Sequence, residues 1–193
     1  MGRNNVDLQL KGKVALITGG TVGIGLAVAR CLAQEGVNVA ICGRDGVRAR
    51  KEAASIADEY AVDALGLGLD ASKAGTAETC MEQLEAAFGG LDILINNAGT
   101  GSSETILDAS DDKWQYYWDL HVMAAVRFSR LAAPLMKKRG GGVILATASI
   151  CANQPLYYEP IYNTTKAALV MFNKCLANEL IPHNIRVNTI NPV

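Results

Sequence analysis

The chain has 193 residues, half of them apolar, and a formal net charge of −1. That is enough sequence for one sizeable core, and the even charge balance leaves no basic footprint for nucleic acid. No apolar run approaches the roughly 20 residues that cross a membrane, and the cysteines (Cys31, Cys42, Cys80, Cys151, Cys175) form no C-x-x-C pair, so reduced thiols are expected rather than a disulfide frame or a metal site. The first residues carry neither an apolar signal region nor an acylation motif. The expectation is a cytoplasmic protein of one domain over residues 1–193, with no membrane or nucleic-acid partner. Asn163-Thr164-Thr165 has the form of a glycosylation acceptor and, without a secretion signal, is expected to stay unmodified.

Lys13 to Thr18 reads as a buried β-branched strand. It runs into Gly19-Gly20-Thr21-Val22-Gly23-Ile24-Gly25 and then a helical pattern that stops at Gly36. Strand, glycine turn and helix together suit a pyrophosphate: glycines let backbone come close, and the helix N-terminus supplies oriented N–H groups. A second strand, Val37 to Cys42, closes a βαβ unit. Where a dinucleotide fold often places an acid that holds the adenosine ribose, this chain has Gly43 and Arg44. An arginine there suits a 2′-phosphate, so the expected cofactor is NADP(H) rather than NAD(H).

A charged helix is predicted over 47–60, and a third strand from Ala64 ends at Asp70. Ser72 is the predicted cap of the next helix, which Gly89-Gly90 stop. The fourth strand, Asp92 to Asn96, leads into Asn97-Ala98-Gly99, small residues that let backbone and ligand approach. Ser110-Asp111-Asp112 open the longest predicted helix, which ends at Lys137-Lys138-Arg139 and which Pro134 should bend or end early. Trp118 and Phe128 on it, with Met171 and Phe172 on the following helix, are candidates for an interface between copies. Val143 to Ala148 is a fifth strand ending at Ser149. Tyr162 and Lys166 lie four apart on the helix that Pro182 stops, so they share one face. An ammonium there would favour the phenolate and bring a phenol toward general-acid duty. Ile185 to Ile190 is the sixth strand. The β–α alternation predicts a Rossmann-type α/β fold: a doubly wound parallel sheet in the order 3-2-1-4-5-6, with helices on both faces.

Taken together, the chain resembles the short-chain dehydrogenase/reductase family. The carrying pieces are T-G-G-T-V-G-I-G at Thr18–Gly25, Asp70, N-N-A-G at Asn96–Gly99, Ser149, Y-N-T-T-K at Tyr162–Lys166 and V-N-T-I-N-P at Val187–Pro192. The resemblance implies a nicotinamide-dependent oxidoreductase acting on a small carbonyl or secondary alcohol. It implies proton transfer by Tyr162, a grip on the substrate oxygen by Ser149, and ribose binding with a lowered phenol pKa from Lys166. Gly19, Thr21, Gly23, Ile24 and Gly25 would hold the pyrophosphate end, Asp70 the adenine, and Asn97, Ala98 and Gly99 would line the cleft. The family commonly forms homodimers or homotetramers. Two departures stand out. His121 occupies the position of a common catalytic Asn, where it either joins a water relay to the lysine or only packs. The chain also stops where the family's substrate lid and seventh strand would begin. A non-catalytic dinucleotide-binding or sensing relative is the alternative reading.

Overall fold

The computed structural model describes residues 6–193; the first five, on which the reading of the N-terminus partly rests, lie outside it. Six parallel strands form one sheet: β1 (Val14–Thr18), β2 (Asn38–Gly43), β3 (Ala64–Gly68), β4 (Ile93–Asn96), β5 (Gly142–Thr147) and β6 (Ile185–Ile190). Their order is β3-β2-β1-β4-β5-β6, the Rossmann-type doubly wound arrangement expected from the sequence. The helices are α1 (Gly23–Gln34), α2 (Gly46–Tyr60), α3 (Thr76–Phe88), α4 (Asp111–Trp118), α5 (Ala124–Lys138) and α6 (Pro160–Leu180).

The uninterrupted apolar runs of the central strands have a simple cause. Side chains of a strand alternate between faces, and both faces here are covered. Val14 and Leu16 of β1 join Ala40, Leu94 and Ile144 in a core with Leu84, Phe128 and Met136. Ala15 and Ile17 join Val39, Ile41, Ile93 and Ile95 in a second core with Ala29, Ala33 and Ile56. Phe128 is fully buried, so it belongs to the core and not to an outward interface. Met171 and Trp118 do reach solvent, at 60% and 38% exposure.

Three local expectations need correcting. Helix α3 does not start at Ser72: its N-cap is Gly75, in the left-handed region at φ 81°. A turn over 71–75 delays the helix and leaves the Ser72 hydroxyl and N–H to donate to Asp70 Oδ1 at 2.8 and 3.0 Å. The long predicted helix is divided, because Asp119–Met123 forms a π turn between α4 and α5. Pro134 does not end α5, which continues to Lys138. Pro134 and Arg130, whose carbonyl loses its donor, are both exposed, so water can satisfy that group. Of the cysteines, Cys42, Cys80 and Cys151 are buried and Cys31 and Cys175 exposed.

Candidate active site

The carboxyl ends of β1 and β4 meet at one hydroxyl. Thr18 Oγ1 accepts from the N–H groups of Asn97 and Ala98 at 3.0 and 3.1 Å, and donates to the Ile95 carbonyl at 3.3 Å. Asn97 Nδ2 then donates to the carbonyls of Thr18 and Gly19, both at 3.2 Å. The glycine turn is therefore held from the side of β4. Gly25 must be glycine here: a Cβ would stand 2.3 Å from the Gly19 carbonyl oxygen and 2.5 Å from Asn97 Nδ2. With that clearance α1 begins at Gly23 and aims its N-terminus into the cleft, an arrangement suited to phosphate.

A single cavity of about 750 Å³ runs along these strand ends. Gly19, Thr21, Gly23, Ile24, Arg44 and Asp70 line one end; Asn97, Ala98 and Gly99 line its middle. Ser149, Tyr162 and Lys166 line the other end. Gly25 lies beneath the turn rather than on the surface of the cavity. Every other cofactor residue expected from the sequence faces the same space. At the Asp70 end, one carboxylate oxygen is bound by Ser72 and the other is left for a ligand. Arg44 is exposed and, among the described residues, pairs with no carboxylate. Gly43 has a steric reason as well as an electrostatic one, since a Cβ there would be 2.7 Å from Thr21 Oγ1.

At the far end, Lys166 is 3% exposed and donates to the Thr147 carbonyl at 2.7 Å. Burial pushes its pKa down to about 8. A Cβ on Gly99 would come within 3.4 Å of Lys166 Nζ, so glycine keeps the space before the ammonium open. An ammonium has three donors; a pair of ribose hydroxyls would answer the ones that Thr147 does not. The glycine cradle, the open carboxylate of Asp70, Arg44 and Lys166 together fit a nicotinamide dinucleotide.

Ser149, 8% exposed, lies just past the end of β5 at Thr147, where it caps the short 3₁₀ turn Ile150–Ala152. Its Oγ accepts from the Cys151 N–H at 3.2 Å, which leaves its own proton free to donate into the cavity. The Tyr162 phenol differs from expectation. Burial, the largest influence, raises its pKa above the ordinary value, and the Ser149 hydroxyl only partly opposes this. Lys166 Nζ lies 5.4 Å from the ring centroid and is directed at Thr147, not at the phenol oxygen. The resting phenol is thus firmly protonated at neutral pH.

His121 does not line the cavity. It is 2% exposed, behind Tyr162, whose ring it meets edge-on at 5.5 Å and 89°. The Thr100 N–H donates to Nε2 at 3.2 Å, which places the ring proton on Nδ1. Nδ1 is 2.8 Å from Thr165 Oγ1, and that hydroxyl donates onward to the Ile161 carbonyl at 2.9 Å. Burial, with the Lys166 charge adding to it, pushes the imidazole down to about 3. Both nitrogens are spent on protein partners, so the ring pins the 97–101 loop to α6. The geometry carries the packing role and offers a relay water no free nitrogen.

Several residues of the site were not singled out in the sequence. Thr18 hid inside the glycine motif. Glu159 and Tyr116 line the catalytic end of the cavity, and Tyr117 donates to the Gly101 carbonyl at 2.8 Å. Only the clustering of aromatics before His121 hinted at the last two.

The model of the short chain dehydrogenase family matches residues 13–193. Dehydrogenase/reductase SDR family member 4 of Sus scrofa is 37% identical over 184 residues, covering 95% of this chain. The chain spans 66% of that relative's length, about two thirds. Among solved structures, L-sorbose reductase from Gluconobacter frateurii, complexed with NADPH and L-sorbose, is 52% identical with a TM-score of 0.95. That match covers 97% of this chain and 71% of the other. An NAD+-bound xylitol dehydrogenase is 30% identical, with a TM-score of 0.90 over 95% of this chain and 71% of its own. The ordered motifs, the sheet and the cavity agree with these matches: the chain belongs to the short-chain dehydrogenase family.

Proposed function

We propose that this chain carries the catalytic centre of an NADP(H)-dependent reductase that interconverts a polyhydroxy ketone and its secondary alcohol. The observation that carries this reading is the convergence of Ser149, Tyr162 and Lys166 on the cavity that also holds Arg44 and the glycine turn. A bound nicotinamide supplies the hydride. Ser149 and Tyr162 both donate to the carbonyl oxygen, a grip that strengthens as negative charge gathers there. Tyr162 gives up its proton, and the nearby Lys166 ammonium stabilises the phenolate left behind. His121 holds the aromatic wall behind Tyr162 in place. For the substrate class, the support is the 52% identical structure with L-sorbose, together with Glu159 and Tyr116 beside the catalytic groups. A carboxylate and a phenol suit several hydroxyls better than a bare cyclic ketone. Reduction of L-sorbose and of a panel of other ketones, followed through NADPH absorbance, tests the reading; no turnover with any of them would overturn it.

Preference for the phosphorylated cofactor rests on Arg44. Both kinds of cofactor occur among similar structures, so the residue has to be tested directly. Arg44→Ala is expected to weaken NADPH binding about thirtyfold, roughly the contribution of a charge-assisted contact of about 2 kcal/mol, and to leave NADH binding unchanged. Calorimetric titration of both cofactors checks this. Equal losses for the two would mean that Arg44 serves the shape of the turn and not the phosphate. Gly43→Asp is a poorer probe, because its Cβ would collide with Thr21. The same reading has copies of the chain meeting through the faces of α4 and α6 that carry Trp118 and Met171.

A further inference from the structure

The glycosylation-like sequence Asn163-Thr164-Thr165 has a use inside the fold. Asn163 is 8% exposed, next to Tyr162 in the first turn of α6. Its Nδ2 donates to the Leu156 carbonyl at 2.6 Å, and its Oδ1 accepts from the Leu156 N–H at 3.3 Å. One side-chain amide therefore satisfies both backbone groups of a single loop residue, much as a neighbouring strand would. Asparagine is a mediocre helix former in such a position. Here its donor and acceptor both find partners.

Leu156 sits midway along 153–159, the segment joining the short 3₁₀ turn after Ser149 to α6. Backbone bonds close its two ends: Asn153 and Gln154 N–H donate to the Ile150 carbonyl at 2.9 and 3.0 Å, and the Glu159 N–H to Leu156 at 3.3 Å. Among the described residues, Asn163 is the side chain that hydrogen-bonds the middle of the segment. Beyond the anchor the chain is open to water, with Tyr157 93% exposed and Tyr158 47%. On the inner side, Leu156 and Glu159 line the cavity opposite the glycine turn. Glu159 is also held by its own carbonyl, which accepts from the Asn163 N–H at 2.9 Å, whereas the placement of Leu156 rests on the Asn163 amide and the Glu159 N–H.

We infer that Asn163 is a specificity-determining positioning residue: by holding Leu156, it fixes the 153–159 segment as the substrate wall of the cavity. The inference rests on the ketone-reductase reading for its substrate, but not for its anchor. A ketose needs several hydroxyls met at once, so it depends on a fixed wall. A small cyclic ketone held only by Ser149 and Tyr162 does not.

The test has two arms, run on the protein and on Asn163→Ala and Asn163→Asp. Asp keeps the acceptor for the Leu156 N–H but sets a carboxylate against its carbonyl, and it preserves the side-chain shape. The first arm is limited chymotrypsin digestion, read by mass at Tyr157 and Tyr158, with no substrate or cofactor. Both variants are expected to be cut there at least tenfold faster, with NADPH affinity retained as the check on folding. The second arm is the ratio of kcat/KM for L-sorbose to that for cyclohexanone. That ratio is expected to fall at least fivefold in both variants, mainly through a higher KM for the ketose. Cleavage at the parent rate overturns the anchor, whatever the turnover. Faster cleavage with an unchanged ratio overturns the role in specificity. A parent protein that reduces no ketone fails the function reading, an outcome that the digestion arm does not produce.

Discussion

Replacing Tyr162 by Phe is expected to cut ketone reduction by at least about a hundredfold, the scale of a lost general acid. NADPH affinity should stay within about twofold, because the hydroxyl and not the ring is removed and the edge contact with His121 survives. The resting phenol supports the assignment. Burial holds its proton above the ordinary value, so at neutral pH the residue is loaded as a donor before the substrate arrives. Ser149 remains as a second donor in the variant and should leave measurable turnover. Lys166→Ala should behave differently. Its ammonium lies beside Gly99, between the catalytic end and the middle of the cavity, so both cofactor affinity and turnover should fall. In the free protein Lys166 loses its charge as pH rises through about 8, so kcat/KM for NADPH should decline above that pH. Steady-state kinetics of both variants from pH 6 to 10, with separate cofactor titrations, check these outcomes. Most of the parent activity in Tyr162→Phe would assign the proton to another group.

The sheet order was legible because buried parallel strands write themselves as apolar runs, and Lys13–Thr18 and Val143–Ala148 are such runs. The cofactor turn was legible because backbone can approach phosphate only where side chains are missing, which leaves glycines in the sequence. The ends of helices were harder. Ser72 is a good capping residue, yet its donors went to Asp70, a choice made by the turn over 71–75. The π turn at Asp119–Met123 has no local signature, since Pro134, the one residue that suggested a break, lies in an intact helix. What meets it from afar is seen only in the fold: His121 Nδ1 lies 2.8 Å from Thr165 Oγ1, and His121 Nε2 accepts from the Thr100 N–H at 3.2 Å. The Asn163 anchor was hidden because its partner is a backbone group, and backbone groups leave no trace in residue identity.

His121 should make the protein sensitive to acid, and His121→Leu should remove that sensitivity at the expense of stability near neutrality. In the folded chain the imidazole stays neutral down to about pH 3, whereas an exposed histidine titrates near 6.5. The unfolded state therefore takes up a proton that the folded state refuses. Its binding of more protons means stability rises with pH across this window, and falls as pH drops from 6.5 toward 3. At pH 4 the loss from this one residue is about 3 kcal/mol, roughly two-hundredfold in the folding equilibrium. The Leu variant escapes that loss but leaves the Thr100 N–H without its buried acceptor and Thr165 Oγ1 without its donor. At pH 7 this should cost about 2 to 3 kcal/mol. Urea midpoints measured from pH 4 to 8 should show a gap between parent and variant that narrows steadily with acid. The parent's rate profile should show no step near 6.5, since the ring does not change charge there. A parallel pair of stability curves would mean that the imidazole titrates equally in both states, and that its burial behind Tyr162 does not hold it neutral.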